Sequence, residues 1–293
     1  MLIAQITDIH LGFDPGNPLE FNRERLDRVI AALCALERRP DLLFATGDLV
    51  DRGDADSYRR LREALASCPF PVWPCLGNHD ARAAFAGIFP EVPRADGFVQ
   101  YVVDRPPLRF IVLDTLEEGR HGGAFCEARA AWLSARLAEA PDRPTVLVLH
   151  HPPIETGIDW LTTGPEELWV ARLDAAIGGH RQIVGMICGH VHRCAVSGWR
   201  GRTLAVCSST APQVALELTP IDPDRPDGRP MIVADAPAFA LHYWNGEGLV
   251  TYFDTAEEHV VLARYDAGLQ PMVRDMLAER PAEAGQGPRR AAR

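Results

Sequence analysis

Five short motifs rich in Asp, His and Asn recur along the chain, each directly after an apolar run with the character of a β-strand. They are Asp8-Ile9-His10, Gly47-Asp48, Gly77-Asn78-His79-Asp80, His150-His151-Pro152 and Gly189-His190-Val191-His192. Carboxylate oxygens, amide oxygens and neutral imidazole nitrogens are ligands for divalent metals. A single motif of this kind is common by chance, but five in succession predict one metal site.

The apolar runs before the motifs predict strands that would bring the polar side chains together. They are Ile3–Ile6, Leu42–Ala45, Val72–Leu76, Val146–Leu149 and Ile183–Cys188. In α/β sheets, functional groups collect beyond the carboxyl ends of the strands. Asp8 and His10 are two residues apart and would share one side of an extended backbone, as would His190 and His192. Gly47 and Gly189 would leave room for a close approach of the backbone to a ligand.

The number of donors indicates more than one metal ion. They are Asp8, His10, Asp48, Asn78, His150, His190 and His192. This set is too large for one tetrahedral zinc, but it suits two ions that share a bridging carboxylate. Such pairs lie about 3.5–4 Å apart, generate a hydroxide from water and serve in-line displacement at phosphorus. Because the set contains no thiolate, we expect Fe, Mn, Zn or Co.

In this order, the motifs resemble those of the calcineurin-like metallophosphoesterase superfamily. The resemblance covers residues 8–192 and implies a β-sandwich flanked by helices, with a two-metal centre at its edge. It also implies that Asp48 bridges the metals and that His79, a non-ligand histidine, contacts the phosphate and assists the leaving group. The ligands implied are Asp8, His10 and His192 for the first metal, and Asn78, His150 and His190 for the second.

Within the superfamily, the stretches around Asp8, Asp48 and His150 resemble bacterial cyclic nucleotide and glycerophosphodiester phosphodiesterases. The predicted activity is hydrolysis of a phosphodiester. A phosphomonoesterase or a nuclease on the same scaffold is the alternative, and a non-catalytic binding protein of this fold is a third. Besides Asn78 and His79, the substrate contacts considered are His151, His121 and His242. For all three, an ordinary packing or surface role competes with the functional one.

The wider sequence predicts an α/β fold with an added β-rich segment. Candidate helices are Arg23–Arg38, Cys126–Ala140 and Glu166–Ile177, and Tyr101–Leu113 resembles a hairpin. We expect a core over residues 1–210, a β-rich extension or cap over 211–280 that completes the core, and a disordered tail over 281–293. Within the extension, Asn245-Gly246 is a preferred two-residue turn and predicts a second hairpin.

Composition limits the partners and the location. The net charge is −10, which makes binding to a nucleic-acid backbone a poor expectation. No apolar run has the roughly 20 residues of a membrane span. The cysteines are 7 in number and scattered, as expected for reduced thiols in the cytoplasm. The partner predicted is a small phosphodiester, and a homo-oligomer is left open.

Overall fold

The computed structural model describes residues 1–280, which fall into two compact units. The first unit is Met1–Glu257 and carries all five motifs. The second unit begins at Glu258, and its described part, residues 258–280, contains one helix, α6 (Gln270–Ala278). The tail predicted over 281–293 lies outside the described residues.

The first sheet of the larger unit has five strands in the order β13-β12-β1-β2-β3. Its strands are β1 (Leu2–Ile6), β2 (Leu42–Thr46), β3 (Val72–Cys75), β12 (Ala238–Trp244) and β13 (Leu249–Thr255). Strands β1, β2 and β3 run parallel, whereas β12 is antiparallel to both β1 and β13. The carboxyl ends of the three parallel strands therefore meet at one edge.

The second sheet has six strands in the order β4-β5-β6-β7-β9-β8. They are β4 (Tyr101–Arg105), β5 (Leu108–Val112), β6 (Thr145–Val148), β7 (Ile183–Cys188), β8 (Ala195–Trp199) and β9 (Arg202–Val206). Strands β5, β6, β7 and β9 are parallel neighbours, and β4 and β5 form the predicted hairpin. A separate two-stranded sheet joins β10 (Gln213–Val214) to β11 (Ile232–Val233).

Helices flank the two sheets. The helices of the larger unit are α1 (Phe21–Ala35), α2 (Ala55–Leu65), α3 (Arg82–Ile88), α4 (Glu127–Ala138) and α5 (Leu168–Ile177), with a short 3-10 helix at Asp159–Leu161. One core cluster joins the apolar faces of α1 and α2 to both sheets, and the rings of Phe44 and Phe110 meet within it at 5.0 Å. A second cluster joins α4 and α5 to the second sheet. This arrangement confirms the predicted α/β class with a helix-flanked β-sandwich.

A buried polar network links the two sheets behind the motif edge. The Gln5 amide nitrogen donates to Thr46 Oγ1 at 2.8 Å and to the Cys188 carbonyl of the second sheet at 2.8 Å. His242 Nε2 lies 3.0 Å from Gln5 Oε1, and His242 Nδ1 lies 2.8 Å from Thr251 Oγ1. Buried polar groups need partners of this kind, and the network supplies them across several strands.

Some elements were not predicted. Helices α2, α3 and α6 and strands β8, β9 and β10 have no counterpart in the sequence-based expectation, whereas α1, α4 and α5 correspond to the three predicted helices. Helix α2 carried a readable signal, because Asp54 is a preferred N-cap residue and its side chain accepts from the Ser57 amide at 2.9 Å. Helix α3, at 7 residues, is too short for a clear periodicity.

The segment expected as an extension, 211–280, is divided in the structure. Strands β12 and β13 belong to the first sheet, with β12 paired directly to β1. Residues from Glu258 on belong to the second compact unit. Within residues 1–280, no helix is both long enough and apolar enough to cross a membrane.

Candidate metal centre

The five motifs follow β1, β2, β3, β6 and β7, so both sheets contribute to one edge of the sandwich. Backbone hydrogen bonds join the loops that carry them. The Ile9 amide donates to the Asp48 carbonyl at 2.8 Å, and the Gly189 amide donates to the His150 carbonyl at 3.0 Å. The Asp8 carboxylate then spans the two sheets by accepting from the His190 amide at 3.0 Å. The predicted convergence of the motifs is therefore observed.

The backbone at the motifs is left-handed rather than extended. Among residues 1–280, seven non-glycine residues have positive φ, and five of them are predicted ligands. Their φ angles are 49° at Asp8, 47° at His10, 46° at Asp48, 74° at His190 and 55° at His192. The expectation that Asp8 and His10 share a side through extended geometry is therefore corrected, because the strand has already ended at Ile6. The chain turns sharply at each donor instead, and such strained positions cluster at functional sites.

One group of donors consists of Asp8, His10 and His192. The Nε2 atoms of His10 and His192 lie 3.2 Å apart, and His192 Nε2 lies 3.5 Å from Asp8 Oδ1. Ligand atoms about 2.0–2.2 Å from a metal ion are typically separated by about 3–3.5 Å. The three side chains could therefore hold one divalent ion.

A second group consists of Asn78, His150 and His190. His150 Nε2 lies 3.2 Å from Asn78 Oδ1, and the rings of His150 and His190 meet nearly perpendicularly with centroids 5.1 Å apart. Both histidines are buried, and Asn78 lines the adjoining cavity. Nitrogen and oxygen donors of this kind suit the same class of borderline metal as the first group.

Asp48 lies between the two groups. Its Oδ2 atom is 3.6 Å from His10 Nε2 in the first group and 3.4 Å from His150 Nε2 in the second. Its Oδ1 atom accepts from the His79 amide at 2.8 Å, which fixes the orientation of the carboxylate. This is the geometry that a carboxylate shared by two ions would need.

The remote ring nitrogens of three histidines are fixed by hydrogen-bond acceptors. Nδ1 of His150 lies 2.8 Å from the Thr46 carbonyl, and Nδ1 of His192 lies 2.8 Å from the Pro212 carbonyl. Nδ1 of His10 lies 3.3 Å from an Asp51 carboxylate oxygen. With Nδ1–H donating to these acceptors, each ring would direct Nε2 toward a metal, as is usual for metal-binding histidine. Asp51 thus contacts one of the predicted ligands through the ring nitrogen remote from the other donors.

Burial and neighbouring charges set the pKa values in the cluster. Burial lowers the pKa of His190 to about 3, and it also lowers the pKa of His192, which keeps both rings neutral at neutral pH. Burial raises the pKa of Asp8 to about 6. Burial also opposes charge on His150, but the nearby Asp48 and Asp8 carboxylates outweigh it and raise the His150 pKa to about 9. Buried carboxylates that attract positive charge, beside neutral imidazoles, form an electrostatic environment suited to divalent cations.

Three glycines make this density of side chains possible. A Cβ atom on Gly77 would lie 2.3 Å from Asp48 Oδ1, and one on Gly47 would lie 2.4 Å from His150 Nδ1. A Cβ atom on Gly189 would lie 1.9 Å from Thr7 Oγ1 and 2.9 Å from Asp8 Oδ2. The close approach expected at Gly47 and Gly189 is therefore observed, and Gly77 is a third such position.

His79 lies beside the two groups with one ring nitrogen engaged. Its Nδ1 atom lies 2.9 Å from the Asp51 carbonyl, and its ring meets that of His10 edge-on at 4.5 Å. The side chain also lines the cavity next to the donors. With Nδ1–H donating to a carbonyl, Nε2 is the atom available to a bound molecule.

The other three histidines considered for substrate contact have different surroundings. His121 is exposed and lines the cavity near Asn78 and His79. His151 is buried, with Nδ1 2.8 Å from Thr115 Oγ1 and Nε2 3.2 Å from the His121 carbonyl. Although His151 lies near His150 and His190, both of its ring nitrogens make hydrogen bonds within the protein. It therefore supports the loop that carries His121.

His242 is not brought to the cavity. It is buried within the first sheet in the Gln5 network, and burial lowers its pKa to about 3. His242 was considered as a substrate contact because it lies in the predicted late hairpin, where a polar side chain is commonly exposed. The partner that buries it, Gln5, is 237 residues away in the chain, and no local pattern reports that contact.

A large cavity opens beside the donors. Its volume is about 890 Å³, and His10, Asp48, Asn78, His79, His190 and His192 line its floor. Its outer wall includes Phe13, Phe21, Trp160 and Ile232. All four lie outside the five motifs, so the motifs alone do not indicate them. Neither Arg nor Lys is among the described residues that line this cavity.

Arg52 and Arg82 lie near the motifs but are not among the described residues that line this cavity, whereas Arg120 lines a smaller pocket that shares Asn78, His79 and His121 with it. Arg82 makes a bidentate ion pair with the buried Asp114, at 2.8 Å and 2.7 Å, and its pKa is raised by that carboxylate against the opposing effect of burial. Arg52 is largely exposed and pairs with Asp51 at 3.5 Å. Arg82 is therefore committed to joining α3 to the end of β5.

Fold and site together define a phosphoesterase with a two-metal centre, and comparison with known proteins agrees. Residues 1–194 match the family model described as calcineurin-like phosphoesterase. The chain belongs to this family of dimetal-dependent hydrolases, as its sequence motifs predicted.

Curated relatives cover most of the chain. It is 30% identical over 259 residues to a probable glycerophosphodiester phosphodiesterase, GpdQ, of Arcobacter nitrofigilis, covering 86% of this chain and 92% of the relative. It is 38% identical over 229 residues to a probable cyclic nucleotide phosphodiesterase of Rhodopseudomonas palustris, covering 74% of this chain and 81% of the relative. Among solved structures, a dimetal phosphatase from Danio rerio matches with a TM-score of 0.65 at 14% identity, over 88% of this chain and 97% of that one. The last match supports the fold.

Proposed function

We propose that this chain hydrolyses phosphodiesters with two divalent metal ions. The observation that carries the proposal is the position of Asp48 Oδ2, 3.6 Å from His10 Nε2 and 3.4 Å from His150 Nε2, between two sets of donors. When bound, the two ions would activate a water molecule and offset the negative charge of the phosphoryl oxygens. The ligands we assign are Asp8, His10 and His192 to one ion, Asn78, His150 and His190 to the other, and Asp48 to both.

The chain's own residues would orient the phosphate and assist the leaving group. In the net reaction, a water oxygen bonds to phosphorus, one P–O ester bond breaks, and the departing alkoxide takes a proton, giving a phosphomonoester and an alcohol. We assign that proton transfer to His79. Its Nδ1–H is oriented by the Asp51 carbonyl at 2.9 Å, and its Nε2 is available on the cavity side.

The lining of the cavity favours diesters over monoesters. A monoester carries close to two negative charges at neutral pH, and sites for it usually add Arg or Lys to hold the second charge. The described lining of this cavity has neither, and Arg82 is committed to Asp114. 3′,5′-Cyclic nucleotides and glycerophosphodiesters, the substrates in the names of the relatives, are the classes we propose first. Fe, Mn, Zn and Co are the candidate metals, and a cytoplasmic location stays a prediction.

The test compares a diester with its matched monoester after metal reloading. The purified chain is stripped with a chelator, reloaded separately with Mn²⁺, Zn²⁺, Co²⁺ or Fe²⁺, and assayed on bis(p-nitrophenyl) phosphate and p-nitrophenyl phosphate. We expect activity that disappears with chelation, returns with at least one metal, and has the higher kcat/KM on the diester. Efficient turnover of the monoester with poor turnover of the diester would contradict the proposal and favour a phosphomonoesterase.

A further inference from the structure

The cavity beside the metal donors has an apolar outer wall, which we call the apolar arm. The arm consists of Phe13, Phe21, Trp160, Leu161, Val214 and Ile232. Its members come from three distant parts of the chain that meet only in the folded state. Phe21 begins α1, Trp160 lies in the 3-10 helix, and Val214 pairs with Ile232 across β10 and β11. The arm is therefore a product of the fold rather than of one apolar loop.

The arm exposes side chains that globular proteins normally cover. The exposed fractions are 66% for Phe13, 53% for Phe21, 43% for Trp160 and 54% for Ile232. Scattered exposed apolar residues need no explanation, but a group around one opening marks a binding site. Because these four line the same cavity as the metal donors, the ligand they would cover is part of the same substrate.

The polar groups near the arm are already engaged within the protein. The buried Glu20 carboxylate accepts from the Gly12 amide at 2.6 Å and pairs with Arg60 at 3.1 Å. The Asn22 amide donates to the His10 carbonyl at 2.8 Å, and Asp14 accepts from Asn17 at 2.9 Å. A bound group with many donors and acceptors would lose its hydrogen bonds to water there without replacement, which is costly.

The size of the cavity exceeds what a phosphate with a small polar arm would fill. At about 890 Å³, it is at the upper end of the 300–1,000 Å³ that drug-sized ligands occupy. An ester substituent of the substrate that reaches from the metal donors to Trp160 would bury its own apolar surface and that of the exposed rings. A second anionic group on that substituent would meet the exposed Asp14 carboxylate and none of the arginines, since no Arg is among the described residues that line this cavity.

We propose that the apolar arm is a subsite for an uncharged hydrocarbon substituent, alkyl or aryl, esterified to the phosphate of the substrate. The inference rests on the proposed function, since the phosphate is held at the metal donors while the hydrocarbon lies along Phe13, Phe21, Trp160 and Ile232. The subsite selects substrates by burial of apolar surface rather than by hydrogen bonds, so diesters with longer hydrocarbon substituents bind more tightly.

The test measures binding of a homologous series rather than turnover. Dimethyl, methyl butyl and methyl hexyl phosphate are all monoanionic diesters, and each is titrated calorimetrically into the Mn²⁺-loaded His79→Ala chain, because the loaded wild-type chain would hydrolyse them during the titration. A fully buried methylene is worth about fourfold in affinity, and the cavity is partly open, so we expect Kd to fall at least about 30-fold from dimethyl to methyl hexyl phosphate. Binding of the longer members should also show a more negative heat-capacity change.

Variants locate the effect. Phe21→Ala and Trp160→Ala, tested singly, should each reduce the ratio of the dimethyl to the methyl hexyl Kd several-fold. Tyr252→Ala removes an equally exposed aromatic ring, 58% exposed, from β13 on the first sheet, and it should leave the ratio unchanged. Because all three side chains are exposed, their removal should not prevent folding, and melting temperatures check this.

The outcomes separate the subsite from the proposed function. A Kd that is independent of chain length, or a ratio that survives in both variants, would overturn the subsite. If a 3′,5′-cyclic nucleotide binds more tightly than every dialkyl phosphate, and the Kd of the dialkyl phosphates does not change with chain length, the subsite is also overturned. The apolar arm would then be assigned to a nucleoside. Failure to hydrolyse bis(p-nitrophenyl) phosphate would instead count against the proposed function, while the binding series would still report on the subsite.

Discussion

The donor residues combine metal-binding chemistry with unfavourable backbone conformations. Asp8, His10, Asp48, His190 and His192 all have positive φ, which L-residues avoid at a cost of roughly 1–2 kcal/mol each. Surrounding hydrogen bonds hold these conformations, such as the Ile9 amide to the Asp48 carbonyl at 2.8 Å. The candidate ligands could be proposed from the sequence because carboxylate, amide and imidazole groups recur directly after predicted strands, and such groups bind divalent metals. The left-handed backbone could not be, because it depends on contacts between distant loops.

Replacement of His79 tests its role as a proton donor that is not a ligand. His79→Ala should keep the metal content of the chain and lower kcat by about 10²–10⁴-fold, the usual contribution of general acid–base catalysis. The loss should be smaller for p-nitrophenyl esters, whose leaving group needs little protonation, than for alkyl esters. The measurement is kcat on both kinds of diester, with elemental analysis of the same preparations. Loss of metal from the variant, or equal impairment on both leaving groups, would assign His79 a different role.

At the scale of elements, α1 supports the metal centre through a buried arginine. Arg25 donates to the Thr210 carbonyl at 2.7 Å and to the Ala211 carbonyl at 3.1 Å. The same loop continues to Pro212, whose carbonyl holds His192 Nδ1 at 2.8 Å. The sequence predicted α1 from its apolar spacing, but this contact joins residues 185 positions apart and leaves no local pattern. A helix that looks purely structural therefore supports the loop that orients His192, a proposed metal ligand.

Removal of Arg25 should affect both stability and metal binding. Arg25→Met leaves the Thr210 carbonyl without its side-chain donor in a buried position, whereas the Ala211 carbonyl keeps the Ser209 hydroxyl at 2.7 Å, so we expect the free energy of unfolding to fall by about 1–3 kcal/mol. His192 should also become less well oriented, so the affinity for the first metal should decrease. Urea denaturation and metal titration measure the two effects. Arg23→Met is the matched control, because Arg23 pairs with the exposed Asp27 at 2.9 Å and should change stability little.

At the scale of the whole molecule, two sheets meet at one edge, and a polar network behind that edge joins them. The class of fold followed from alternating strands and helices, and the site followed from the motifs. The pairing of β12 with β1, and hence the burial of His242, did not follow, because antiparallel pairing across the whole chain has no sequence signature. His242 thus belongs to the junction of the sheets and contacts Gln5, which reaches the second sheet at Cys188.

The buried His242 should make stability depend on pH. Burial lowers its pKa to about 3 in the folded chain, against about 6.5 when unfolded, so the folded protein keeps it neutral between these values. The unfolded chain binds a proton there that the folded chain does not, and stability falls as the pH decreases from about 6.5 toward 3. His242→Gln should remove up to about 1.4 kcal/mol per pH unit of that decrease. Urea denaturation of both metal-free chains from pH 7 to pH 5 measures the difference, and parallel pH dependences would contradict it.

The central claim is that Asp48 joins two metal ions in one centre, and metal stoichiometry tests it most directly. Because Asp48 Oδ2 faces His10 and His150 alike, loss of this carboxylate should weaken both sites, whereas loss of a ligand to one site should mainly affect that site. Elemental analysis after reloading and gel filtration should find about two ions per wild-type chain. The same analysis should find well under one ion in Asp48→Ala, with diesterase activity abolished. An Asp48→Ala chain that retains two ions, or a wild-type chain that binds only one, would contradict the shared centre.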